Sequence, residues 1–270
     1  DLYDAKVYDK ARENLQNMER NGILKQDETP CYYIYELTRN GRSQTGLVGC
    51  SSIDDYMNGV VKKHELTRED KEQDRIRHVD TCDANTGPIF LACRYPQELL
   101  DLMEEWKASH DAVYDFTADD GIGHRAWKVA SPAVTEALSS LFKELPCTYI
   151  ADGHHRCASA VKVGLKRREE KKSYTGQEEF NRFLSVLFPD DQLKILPYNR
   201  VVKDLNSHTE EEFLQAVRDA GFSICDMEKN AVFPKEKGTF GMYLHGSWHM
   251  LTAKKAMPTT FRQYLCRFYG

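Results

Sequence analysis

The chain has 270 residues, enough to bury a sizeable core as one large domain or two small ones. Charged residues make up 29% and the formal net charge is −5, a balance that offers no overall basis for binding nucleic acid, because neutralising phosphates needs a basic face. No apolar run approaches membrane-spanning length and no secretory leader is visible, so a cytoplasmic protein without a membrane partner is expected. The chain opens on Asp1 and stops in the apolar Phe268-Tyr269-Gly270, which reads as a piece of a longer protein. Its eight cysteines are scattered without a Cys-x-x-Cys pair. Zinc ribbons and thioredoxin-like motifs need that spacing, so reduced, metal-free thiols are expected.

Val7, Ala11, Leu15 and Met18 recur at helical spacing and predict an amphipathic helix over residues 4–21, closed by Gly22. Strand-like runs at 31–35 and 45–50 flank Asn40-Gly41 and predict a hairpin. A short helix is expected over residues 52–63. Residues 63–78 are then dense in ionisable groups, with His64-Glu65 at a helix-to-loop transition and Asp74-Arg75 placed like a fixed ion pair. A solvated helical face would explain such a run as well. Beyond Asn85-Thr86-Gly87-Pro88 come a strand at 89–93 and a helix at 96–110 that buries Leu99, Leu100, Met103 and Trp106. Asp119-Asp120-Gly121 centres a second hairpin, and Val134, Ala137, Leu138, Leu141 and Phe142 mark a helix over 132–145.

That helix feeds the most unusual stretch. Cys147-Thr148-Tyr149-Ile150 reads as a buried strand, and Ala158, Val161, Val163 and Leu165 as one side of a helix. Asp152-Gly153 is then a strand-to-helix turn, with His154, His155 and Arg156 in the first helical turn. Unpaired backbone N–H groups and the positive end of the helix dipole meet there and favour an anion. Arg adds a planar fork suited to phosphate or carboxylate. A plain cap and turn would account for Asp152 and Gly153, but not for two imidazoles and a guanidinium after them. Cys157 sits at the same helix end, where thiol pKa values fall, although packing is its default role.

Downstream, the basic run 166–172 closes a helix, 183–188 and 193–196 are strand-like, and Thr209 with Glu212 forms a capping-box pattern over a helix at 209–220. A third hairpin joins 240–244 to 248–251, and its His245 and His249 read as structural. The expected fold is α+β: a mixed sheet with hairpins and packed helices, one domain over 1–270, with 173–270 as a candidate C-terminal subdomain.

Lys63-His64-Glu65-Leu66-Thr67 with Asp74-Arg75, Gly87-Pro88-Ile89-Phe90-Leu91 and Tyr149-Ile150-Ala151-Asp152-Gly153-His154-His155-Arg156 closely resemble the bacterial family called domain of unknown function 1015. Ser185-Val186-Leu187-Phe188-Pro189 and Tyr198-Asn199-Arg200-Val201 extend the similarity over nearly the whole chain. The resemblance implies a family segment that precedes Asp1. More distantly, the turn is similar to the phosphate-binding turn of the ParB/sulfiredoxin-like fold, and residues 152–156 match the Asp-Gly-His-x-Arg pattern of its free-serine kinase branch.

These features together lead to a nucleotide-dependent phosphotransferase acting on a small hydroxylated metabolite, with free serine among the candidates and ATP, ADP or another nucleotide with Mg²⁺ as cofactor. Gly153, His154, His155 and Arg156 would hold phosphate, and Asp152 would bind Mg²⁺ or take the substrate proton. Glu65, beside His64, would supply a second acid/base group if the two stretches meet. The alternatives are a non-catalytic nucleotide-binding regulatory module of the ParB-like type, and a metal-dependent hydrolase with His64, Glu65, His154 and His155 as ligands.

Overall fold

The computed structural model describes residues 3–65, 67–171, 173–227 and 231–254; Leu66, Lys172, Cys266 and the closing Phe268-Tyr269-Gly270 lie outside them. The chain forms two compact units, residues 1–194 and 195–270. In the first, the elements run α1 (Ala5–Arg20), β1 (Tyr32–Arg39), β2 (Arg42–Ser52), α2 (Ile53–Met57), β3 (Val61–Lys62), α3 (Glu69–Cys82) and β4 (Ile89–Cys93). There follow α4 (Gln97–Ser109), β5 (Tyr114–Thr117), β6 (Gly123–Val129), α5 (Pro132–Lys143), β7 (Thr148–Asp152), α6 (His154–Glu170) and β8 (Arg182–Pro189). The strands make one sheet in the order β3-β7-β4-β8-β2-β1-β6-β5. Among the described residues, β3 with β7 and β4 with β8 run parallel and the other neighbours antiparallel. The fold is α+β with a mixed sheet, as the interleaved hairpins and helices predict.

Strand register explains how this sheet buries a core. Ile150, Leu91, Leu187, Leu47, Ile34 and Trp127 are cross-strand partners in turn, forming one apolar row across β7, β4, β8, β2, β1 and β6. Each is at most 8% exposed. Because side chains alternate faces along a strand, a one-residue slip in any of these strands would turn its whole apolar set away from the core. Ile150, Leu91 and Leu187 pack with Cys157, Ala160 and Val161 of α6, while Ile34, Leu47 and Trp127 pack with Leu99 and Met103 of α4 and Leu138 of α5.

Helix α6 is buried on two sides, against the sheet core and against α3. Its small residues permit this. A Cβ on Gly164 would meet the Phe180 carbonyl oxygen at an impossible 2.3 Å, so only glycine lets the helix approach that backbone. Arg167 and Arg168 fall in its last turn, where the dipole favours cations, and they pair with Asp80, Asp83 and Asp54.

Three expectations are corrected. The short helix ends at Met57, because Asn58 caps it and Gly59 turns the chain, freeing β-branched Val61 to pair with Thr148 as a strand. In α1 the buried side chain is Tyr8, with Val7 and Met18 exposed, because the Tyr8 hydroxyl donates to Asp74 of α3 at 2.8 Å. Residues 193–196 form no strand: no ladder partner is present among the described residues, Ile195 and Leu196 are exposed, and Pro197 removes a donor.

The second unit holds α7 (Glu210–Asp219), β9 (Phe222–Asp226), β10 (Thr239–Leu244) and β11 (Ser247–Ala253), the strands in antiparallel order β10-β11-β9. Thr209 and Glu212 make the expected capping box. His249 is buried with Nδ1 2.7 Å from Asp226, and His245 lies 2.7 Å from Glu210. Both hold local structure together. Among the described residues no helix is long and apolar enough to cross a membrane.

Candidate functional site

Strand β7 ends at Asp152, Gly153 turns the chain with φ +94°, and α6 starts at His154. No side chain caps this helix, which removes the plain-cap explanation of Asp152. The first intrahelical bond is from the Cys157 N–H to the Gly153 carbonyl at 2.8 Å. The amides of His154, His155 and Arg156 therefore have no partner within the helix.

Arg156 is held in place from both sides. Strand β4 lies beside β7 with Phe90 opposite Asp152, which brings Gly87-Pro88 next to the turn. The guanidinium donates from Nη1 to the Pro88 carbonyl and from Nη2 to Asp152 Oδ2, each at 2.7 Å. Gly153 is favoured by its left-handed φ, and a Cβ there would also crowd Arg156, whose Nη2 lies 3.0 Å from that position.

The charged stretch after Lys63 meets this turn. Glu65 Oε2 lies 3.7 Å from His154 Nδ1, and the His64 ring meets His154 edge to face at 4.4 Å between centroids. Lys71, Asp74 and Arg75 of α3 join Glu65, Asp152 and residues 153–156 around an open cavity of about 440 Å³. His64 is not among the residues that line it and meets the site through its ring contact with His154. Asp74 and Arg75 do pair, at 3.1 Å.

A buried carboxylate holds the two stretches together. Glu72 of α3 pairs with Lys162 of α6 through one oxygen and accepts the Thr67 hydroxyl through the other. Its backbone carbonyl accepts from Ser159, which also donates to the His155 carbonyl at 2.6 Å. Burial would push the Glu72 carboxyl up, yet the hydrogen bonds from Lys162 and Thr67 and the nearby positive charge hold it below the usual carboxylate range. The sequence reading does not name Glu72, and it places Lys71 and Pro88 only within the charged run and a family motif, with no site role. Lys71, Asp74 and Arg75 have the i, i+3, i+4 spacing of one helical face, a signal usable once α3 is known to begin at Glu69.

His154 is 6% exposed, and its Nε2 is buried with no hydrogen-bond partner among the described residues. Burial pushes its pKa below the ordinary 6.5; His64 and His155 lower it further, and Glu65 and Asp152 oppose them. The folded state thus resists a proton that the unfolded state accepts, so the stability from neutral His154 is present above 6.5 and lost as pH falls through the window below it. Urea midpoints should accordingly drop more on acidification in the wild type than in His154→Gln. His78, also lowered by burial, is common to both proteins and cancels. Equal drops would mean that His154 does not titrate in this window. Cys157 is fully buried and burial pushes its thiol up to about 12, which makes it a packing residue.

A metal-dependent hydrolase needs several protein ligands around one ion. Among the described residues no group of three or more His, Cys, Asp or Glu is arranged to hold one. Mg²⁺ carried by phosphates needs only one or two carboxylates. Asp152 fits that demand, being largely exposed with Oδ2 turned to Arg156 and Oδ1 left over.

The fold and turn define an α+β protein with an uncapped helix start, a pre-positioned arginine and a polar cavity. The chain belongs to the family described as protein of unknown function (DUF1015), which matches residues 1–266. No curated protein and no solved structure matches it.

Proposed function

We propose that this protein is a nucleotide-dependent phosphotransferase acting on a small hydroxylated metabolite. The observation that carries the proposal is the uncapped start of α6, with Arg156 already oriented, opening on the cavity that Glu65 and His154 also border. Phosphoryl transfer is mainly positioning and charge stabilisation, which these groups supply. The amides of residues 154–156 and the Arg156 fork would hold the phosphates of ATP or ADP, with Lys71 across the cavity as a further cation. Asp152 would keep Arg156 in place and offer Oδ1 to Mg²⁺. Glu65, next to His154 and largely exposed, would accept the proton of the acceptor hydroxyl. A volume of about 440 Å³ lies within the usual range for small-molecule sites.

One observation favours a second reading, a nucleotide-binding regulatory module without chemistry. The Asp152–Arg156 pair at 2.7 Å gives Asp152 a purely positional task. Thermal unfolding with ATP or ADP, with and without Mg²⁺, tests binding, since a ligand of the folded state must raise apparent stability. Release of labelled phosphate to an acceptor then separates enzyme from module. Arg156→Lys keeps the charge but loses the fork, so nucleotide affinity should fall about tenfold or more. Undiminished stabilisation of that variant by nucleotide would put the phosphate elsewhere.

A further inference from the structure

We infer that the outer edge of β5 is an interface at which two copies of this chain join, strand to strand, across a twofold axis. β3 and β5 are the outer strands of the sheet, and the turn at residues 152–156 follows β7, next to β3. The interface therefore lies at the other end of the sheet from the candidate site and is independent of the phosphotransfer reading.

Two features mark this edge as a joining surface. Edge strands that must stay apart are usually blunted by lysine, proline, a bulge or extreme shortness. β3 is two residues long, whereas β5 has four, with no lysine or proline and no register shift in its ladder with β6. Its one charge, Asp115, is already paired with Arg125 at 3.1 Å. Among the described residues no strand pairs with its outer side. In addition, an aromatic row leads to this edge and stops there. Tyr35 stacks on His124 at 6.1 Å between centroids and His124 on Phe116 at 5.0 Å, yet Phe116 is 54% exposed and Tyr114 62%.

The backbone fixes how a second copy fits. The Ala118 N–H donates to the Ile122 carbonyl at 2.9 Å, and the register sets Phe116 opposite His124 and Tyr114 opposite Ala126. Hydrogen-bonded and non-hydrogen-bonded residues alternate along an antiparallel strand. Residues 114, 116 and 118 therefore turn their backbone groups to β6, and Asp115 and Thr117 turn theirs outward. Centring the twofold on Phe116 sets Asp115 opposite Thr117 of the second copy, so each such pair exchanges both of its backbone bonds. The Thr117 hydroxyl then donates to the Asp115 carboxylate across the axis. The two Phe116 side chains become a non-hydrogen-bonded pair, the closest cross-strand arrangement and one that favours aromatic rings. Centring the axis on Asp115 would oppose Asp115 to itself, and centring it on Thr117 would oppose Asp115 to Asp119, like charges that destabilise. Such an isologous contact closes at two copies. It is small, so dissociation in about the micromolar range is expected.

Sedimentation equilibrium of the full chain between about 1 and 100 µM tests this and should show a reversible monomer–dimer equilibrium. Thr117→Pro removes an N–H that faces away from β6, so the chain keeps its own ladder while each copy loses a donor to the other. Its dissociation constant should rise about tenfold or more, as should that of Phe116→Ser, at an exposed position. Unchanged circular dichroism and melting show that both variants are folded. Phe116→Cys should form, on mild oxidation, a crosslink between the two copies at position 116, because non-hydrogen-bonded partners lie within disulfide reach. Peptide mass spectrometry locates it. A chain that stays monomeric at about 100 µM, a dimer that Thr117→Pro and Phe116→Ser leave intact, or crosslinks that join other cysteines alone would overturn the interface.

Discussion

Glu65→Gln is expected to cut phosphoryl transfer by about 10²–10⁴-fold while nucleotide continues to bind, the usual cost of losing one acid/base group. The substitution is nearly isosteric and the side chain is largely exposed, so the fold should be unaffected. An amide cannot take the acceptor's proton. It also removes a negative charge 3.7 Å from His154 that supports imidazole protonation, so His154 should titrate lower in the variant. Single-turnover rates with bound ATP isolate the chemical step, and an ATP-induced rise in melting temperature equal to wild type shows intact binding. Transfer within a few-fold of wild type would remove Glu65 from the chemistry. Absence of transfer in the wild type itself, with nucleotide bound, would favour the regulatory module.

The second large effect concerns the backbone. Gly153→Ala puts a side chain at φ +94°, which costs about 1–2 kcal/mol in the left-handed region. The new Cβ would also press on Arg156, whose Nη2 lies 3.0 Å from that position, and shift the fork by a few tenths of an ångström from its set on Pro88 and Asp152. We expect a melting temperature lower by a few degrees and an ATP affinity reduced about 10–100-fold, the scale of one charge-assisted hydrogen-bond pair. Adding Arg156→Ala should then cost little more, because the two changes disable the same contact. Wild-type ATP affinity in Gly153→Ala would show that the turn does not hold the phosphates.

Which features were legible in the sequence follows from the range of the forces that make them. The Asn40-Gly41 hairpin, the Thr209–Glu212 capping box and the Asp152–Gly153 turn into α6 are set by dihedral preferences and periodicity within a few residues. The face of α1 was not legible, because Val7, Met18 and Tyr8 are separated by one hydroxyl bond to Asp74, 66 positions away. Residues 193–196 offer β-branched Ile195 between two leucines but lack a partner among the described residues, and strand character depends on that partner.

The same division runs through the candidate site. Residue identity and local geometry by themselves determined that Gly153 to Arg156 would form an uncapped helix start suited to an anion, since a helix leaves its first amides unpaired wherever it lies in a fold. Only the tertiary structure decided what faces that turn. The parallel pairing of β3 with β7 and the buried Glu72–Lys162 pair bring Glu65 to His154, set the His64 ring against it, and place Lys71 at the cavity. The Pro88 carbonyl that orients Arg156 comes from 68 positions upstream. Such contacts arise from burying one apolar row across six strands and satisfying one buried carboxylate. Those terms belong to the packed whole, and no short stretch of sequence contains them.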